Sequence, residues 1–123
     1  MAFSLNRIEI IGNLGQDAET KFPSDNFSVT NFSVATTHSY KKQGASDWTN
    51  ETTWHNVTGF NLGEFYQNNL KKGAKVYVSG RLQKREYTDK EGIKRYAVEI
   101  VSEQIIPLDS NNNNAQKEDS DDF

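Results

Sequence analysis

The run NLGEFYQNNLKKG, residues 61–73, decides the fold. Before it, apolar residues recur at every second position. Within it, Leu62, Phe65, Tyr66, Asn69 and Leu70 recur about every fourth position, on one side of a helix. Gly73, coming after Lys71 and Lys72, is a good stop for that helix. Beyond it the spacing of two returns in Val76, Val78, Gly80 and Leu82. One helix therefore separates two blocks of strands, and counting the strands on each side fixes the architecture.

Upstream, residues 6–11 alternate Ile8 and Ile10 with Arg7 and Glu9, the pattern of a half-buried strand, and GNLGQD (residues 12–17) ends it. A second extended run covers residues 27–40. Phe27 and Val29 share one phase there, while Phe32 and Val34 share the other; this slip predicts a bulge that bends the strand around a barrel corner. The polar stretch KKQGASDWTNE (residues 41–51) fits a long hairpin loop, and a third strand runs from about Thr52 to Phe60. Downstream, the fourth strand continues through Arg81, Arg85 and Tyr87, TDKEG forms a turn, and Tyr96, Val98 and Ile100 mark a fifth strand ending near Pro107. Three strands, one helix and two strands is the chain order of the OB-fold. This is an all-β, five-stranded Greek-key barrel, with the helix between strands 3 and 4. The barrel domain is expected over residues 1–108. Residues 109–123, with four consecutive asparagines and no periodicity, read as a disordered acidic tail.

Charge follows the same boundary. Residues 1–108 hold 13 Lys and Arg against 12 Asp and Glu, whereas residues 109–123 hold Lys117 against five acids; together they give the net −3. A near-neutral body can hold a polyanion only if its cations share a face, which bulk charge does not reveal. The absence of cysteine removes disulfides and thiolate chemistry. His38 and His55 have no metal-ligand spacing, and there is neither a phosphate-cradling glycine loop nor a serine nucleophile motif. A non-enzymatic binding protein is expected, with no metal or cofactor. No apolar run could act as a signal peptide or span a membrane, so the expected location is the cytoplasm. Four Asn-x-Ser/Thr matches, at Asn26, Asn31, Asn50 and Asn56, are chance without a secretory signal.

Aromatic residues set among polar ones are the main functional signal. Single-stranded nucleic acid needs flat rings for its bases and cations along its phosphates, with stacking contributing about 1–3 kcal/mol per base. Trp54, Asn56, Thr58 and Phe60 share one parity, an odd composition for a core face. Their neighbours of opposite parity, His55, Val57 and Gly59, are not strongly apolar either, so parity leaves open which face is inside. Tyr87 lies beside a turn among Lys84, Arg85, Lys90, Lys94 and Arg95. Tyr40 precedes Lys41 and Lys42, and Trp48 sits in the polar loop that follows. A solvated hairpin with incidental aromatics is the simpler reading of each; their recurrence on several elements argues for a shared use.

The blocks IIGNLGQDAETKF (residues 10–22), NFSVAT (31–36), TTWHNVTGF (52–60), LKKGAKVYVSGRL (70–82) and EYTDKEG (86–92) closely resemble the bacterial single-stranded DNA-binding protein family. The match spans roughly residues 3–106, in order and at family spacing. The resemblance implies a homotetramer of OB-folds that wraps single-stranded DNA without sequence preference. It assigns stacking to Tyr40, Trp54, Phe60 and Tyr87, two of which are often Trp in relatives, and phosphate contacts to Lys21, Lys72 and Arg85. Asn56 stands where a cation is common, and His55 matches a subunit-interface position. Family members usually end in an acidic tip with a hydrophobic residue and Pro before the last Phe. Here the linker of about residues 109–117 is short, and EDSDDF keeps the acids and Phe123 but not the Pro. Asp119, Asp121, Asp122 and Phe123 are thus expected to recruit replication and repair enzymes. The competing reading is an OB-fold interaction module of the primosome type with weak DNA affinity.

Overall fold

The computed structural model describes residues 3–108. Among these, seven elements follow one another: β1 (Ile8–Leu14), β2 (Glu19–Ser24), β3 (Phe27–Lys41), β4 (Trp48–Phe60), α1 (Glu64–Asn69), β5 (Lys75–Thr88) and β6 (Lys94–Pro107). Five strands close a ring in the order β1-β5-β6-β4-β3. The closing contact returns from β3 to β1 through Asn13↔Ala35 and Leu14↔Val34. The β4–β6 seam, at Val57↔Ile100 and Thr58↔Val101, is parallel, and the other pairings among the described residues are antiparallel. This is the five-stranded barrel with one helix that the strand order predicts. Closure leaves no long unpaired edge within the ring.

The core is filled by Leu14, Phe32, Val34, Val57, Leu70, Val76, Val78, Ile100 and Ile105, one or two from each ring strand plus Leu70 from the end of the helix. The helix is only six residues long and acts as a plug. Leu62, Tyr66 and Leu70, four apart, turn toward the core, while Phe65 is exposed, although the spacing placed it on the same side. Gly73 adopts φ +86° beyond the helix, and its N–H donates to the Leu14 carbonyl at 2.8 Å, which ties the plug to the end of β1.

Three further sequence expectations change. A sixth strand, β2, lies on the outer edge of β3; Pro23 and an almost wholly exposed ETKFPS conceal it from periodicity. The bulge expected in the second long strand is absent, because β3 pairs with β4 in unbroken register from Val29↔Phe60 to Lys41↔Trp48. Its inward row is Ser28, Thr30, Phe32 and Val34. Two of these are hydroxyl residues, which disguised the phase, and Thr30 is satisfied by the Thr20 hydroxyl at 2.9 Å. Register shifts fall instead between Lys21 and Ser24 and between Ser79 and Gly80. A Cβ on Gly80 would collide with the Val101 carbonyl, so only glycine permits the strands to come so close at that corner. Finally, the hairpin loop shrinks to residues 42–47, because Trp48 and Thr49 already belong to β4.

Candidate nucleic-acid interface

With Phe32, Val34 and Val57 inside, alternation puts Trp54, Asn56, Thr58 and Phe60 on the outer side of the barrel, where Trp54, Asn56 and Phe60 are exposed and Thr58 is covered. Trp54 is 58% exposed and Phe60 46%. The polar residues between them are tied across the ribbon. The Ser33 hydroxyl donates to Asn56 Oδ1 at 3.4 Å and the Thr58 hydroxyl to Asn31 Oδ1 at 3.0 Å. Beneath the indole lies Gly15; a Cβ there would come within 2.6 Å of a Trp54 ring carbon. The bare backbone of the loop after β1 thus seats the ring. An open groove of about 850 Å³ runs past Trp54, lined also by Asp17, Glu19, Asn56, Arg85 and Glu99.

The remaining expected contacts occupy different stations. Lys21 is exposed and lies in register with Val29, which pairs with Phe60, so it shares the outward row about 10 Å from Phe60 at two strand spacings. Arg85 lines the groove itself and makes a 3.6 Å ion pair with Glu99. Tyr87, 43% exposed, shares the parity of Arg85 and lies one step further out; the guanidinium carbon is 6.0 Å from its ring centroid. Lys72 stands at the rim: its backbone N–H donates to Asp17 Oδ1, a lining carboxylate, at 2.8 Å. Tyr40 is on the opposite side of the ribbon from Trp54, half-buried and stacked on His38 with centroids 5.9 Å apart; its hydroxyl points to Glu51 at 3.5 Å. His55 also faces away from the groove, sharing a 2.9 Å hydrogen bond with the Thr36 hydroxyl. Asp119, Asp121, Asp122 and Phe123 lie outside the described residues.

Two features of the site are not evident from the sequence pattern, the Phe27 ring and the carboxylates of the groove. Phe27 stacks on Phe60, with centroids 5.7 Å apart and a 19° tilt, because it belongs to the outward phase and not to a bulged core phase. Reading Phe32 and Val34 as the sole inward phase would have revealed it. Three carboxylates, Asp17, Glu19 and Glu99, line the groove with one arginine, Arg85, a local balance that whole-chain charge conceals. Among the described residues, no group of three or more His, Asp or Glu is disposed to hold a metal ion, and no helix is long and apolar enough to cross a membrane.

Residues 5–108 match the model of the single-strand binding protein family. The chain is 39% identical over 112 residues to the single-stranded DNA-binding protein 1 of Xylella fastidiosa, covering 90% of this chain and 82% of that one. It is 36% identical over 126 residues to the single-stranded DNA-binding protein of Rickettsia conorii, covering 98% and 83%. Among solved structures, a Plasmodium falciparum SSB complex with ssDNA superposes with a TM-score of 0.78 at 27% identity, over 89% of this chain and 99% of that chain.

Proposed function

The chain belongs to the single-strand binding protein family, and from that premise we propose that it binds single-stranded DNA without sequence preference, on the outward face of β3 and β4. The observation that carries this reading is the pair Trp54 and Phe60, two large rings held outward on a closed barrel that does not need them for its core. Bases stack on these rings and on Tyr87, while Arg85 and Lys21 follow the phosphates and Lys72 contributes from the rim. Stacking is indifferent to base identity, since every base has a π-face, so the binding is general. Tyr40 joins the path where the strand passes around the ribbon to its other side.

The wider role is protection of exposed strands during replication, recombination and repair, by a non-enzymatic homotetramer in the cytoplasm. His55, facing away from the groove, suits the subunit interface. The acidic segment that includes Asp119, Asp121, Asp122 and Phe123 recruits partner enzymes, through charges that match basic pockets. One observation favours a second reading, the interaction module with weak DNA affinity: three carboxylates line the groove beside a single arginine.

Competition binding separates the two. A labelled oligo-dT should be captured at submicromolar protein, displaced by mixed-sequence single strands, and left in place by duplex DNA. Displacement by duplex as readily as by single strands, or capture only at far higher protein concentration, would favour the second reading.

A further inference from the structure

We propose that Trp48, at the outer end of β4, is a further base-stacking platform, so that the DNA path extends beyond the groove along the full outward face of the β3–β4 ribbon. This rests on the reading of Trp54 and Phe60 as platforms. Its own support is a repeat that appears only once the register is known. Every second residue of β4, read from the tip of the hairpin inward, gives Trp48, Asn50, Thr52, Trp54, Asn56, Thr58 and Phe60. Ring, amide and hydroxyl occur twice over, and a third ring ends the series.

The cross-strand partners repeat with them. Asn50 accepts a hydrogen bond from the Ser39 hydroxyl at 2.6 Å, as Asn56 accepts one from Ser33. Thr52 meets the Thr37 hydroxyl at 3.4 Å, as Thr58 meets Asn31. Each pair holds its short polar side chains against the ribbon; Asn50 and Thr52 are exposed, so no bulky residue of this row separates Trp48 from Trp54, while Thr58 is buried beside Asn31. At about 3.3 Å per residue, the rings are roughly 20 Å apart along the strand. Trp48 is 65% exposed, more than either of the other two, and is not part of the core. Lys41, its direct partner, places Nζ 5.7 Å from the ring centroid, putting a cation beside the ring as Arg85 does beside Tyr87. Exposed rings with a cation at hand, on a face otherwise made of short polar side chains, suit a single strand, whose bases stack on rings while its phosphates take the cations.

The chain has two tryptophans, so each can be observed alone. In Trp54→Phe, which leaves Trp48 as the single tryptophan, saturating long oligo-dT should quench the emission. Trp48→Ala should weaken binding of the same oligonucleotide about five- to tenfold, with melting temperature and oligomer mass unchanged. Trp48→Phe should restore most of that loss and should report on Trp54. If Trp54 is quenched in Trp48→Phe while Trp48 stays bright in Trp54→Phe, the DNA stops at the groove and this proposal alone fails. If neither is quenched, the reading of the groove fails with it. A fall in oligomer mass in Trp48→Ala, at unchanged affinity per subunit, would assign the ring to contact with a second copy of the chain.

Discussion

Trp54 owes its position to Gly15: a side chain at that glycine would push the indole off its seat, and without the ring the groove loses its one large flat wall. Trp54→Ala should therefore cost about 1–3 kcal/mol of single-strand affinity and leave the melting temperature nearly unchanged. Phe60→Ala should cost a similar amount of affinity but should also lower the melting temperature. Its ring stacks on Phe27, and such pairs contribute roughly 0.5–1.5 kcal/mol beyond simple burial. Paired titrations and thermal melts separate these outcomes; a large melting loss with intact affinity in Trp54→Ala would make that ring structural. That Trp54 and Phe60 share a side is legible in the sequence. Which side is outward is not, because the inward positions of β4 offer a single strong apolar residue, Val57, beside His55 and Gly59. The choice is made by Phe32 and Val34 on the paired strand β3, and parity within one strand cannot report on its neighbour.

The hairpin of β5 and β6 carries Arg85 and Tyr87, and its tip is organised by a single carboxylate. Asp89 Oδ1 accepts the N–H groups of Ile93 at 3.0 Å and Glu91 at 2.9 Å, and Oδ2 accepts Arg95 Nε at 2.9 Å. The Ile93 amide first, then the Arg95 side chain, hold the Asp89 carboxyl below its ordinary value. A carboxylate with a lowered pKa in the folded state stabilises the turn at every pH above its unfolded value, and this help disappears as the pH falls through the folded value. Amide exchange at Gly92 and Ile93 should thus accelerate relative to the core as acid protonates Asp89, and Asp89→Asn should show that faster exchange already at neutral pH. Exchange at the tip that tracks the core throughout would remove Asp89 from this role. The turn TDKEG is readable because glycine and aspartate mark it; β2 is not, because its six residues bury almost nothing and contain a proline. The phase of the second long strand is hidden for a related reason: two of its inward residues, Ser28 and Thr30, carry hydroxyls, which a hydrophobicity pattern does not count toward a core.

Over the whole chain, charge sets the conditions under which binding is seen. With Lys21, Lys72 and Arg85 each neutralising one phosphate, log K should fall against log salt with a slope near 0.7 per contact, about 2 in all. A flat response from low to physiological salt would leave the rings without their electrostatic partner. Residues 109–123 carry five acids against one lysine and should compete weakly with DNA for the same cations. Removing them should raise affinity modestly at low salt, and the gain should vanish as the Debye length shortens to about 8 Å near physiological ionic strength. The same removal should abolish capture of replication and repair enzymes, and unchanged affinity together with unchanged capture would leave the segment without either role. The central claim is spatial: DNA lies on the outward face of β4. The most direct test is ultraviolet crosslinking of the full chain to halogenated oligo-dU, with the crosslinked peptides mapped by mass spectrometry. Crosslinks should concentrate on Trp54 and Phe60, with Tyr87 next, and disappear in excess unlabelled single strand. Crosslinks confined to β1 and the part of β5 that pairs with it, Lys75 to Gly80, or persisting against that competitor, would contradict the account.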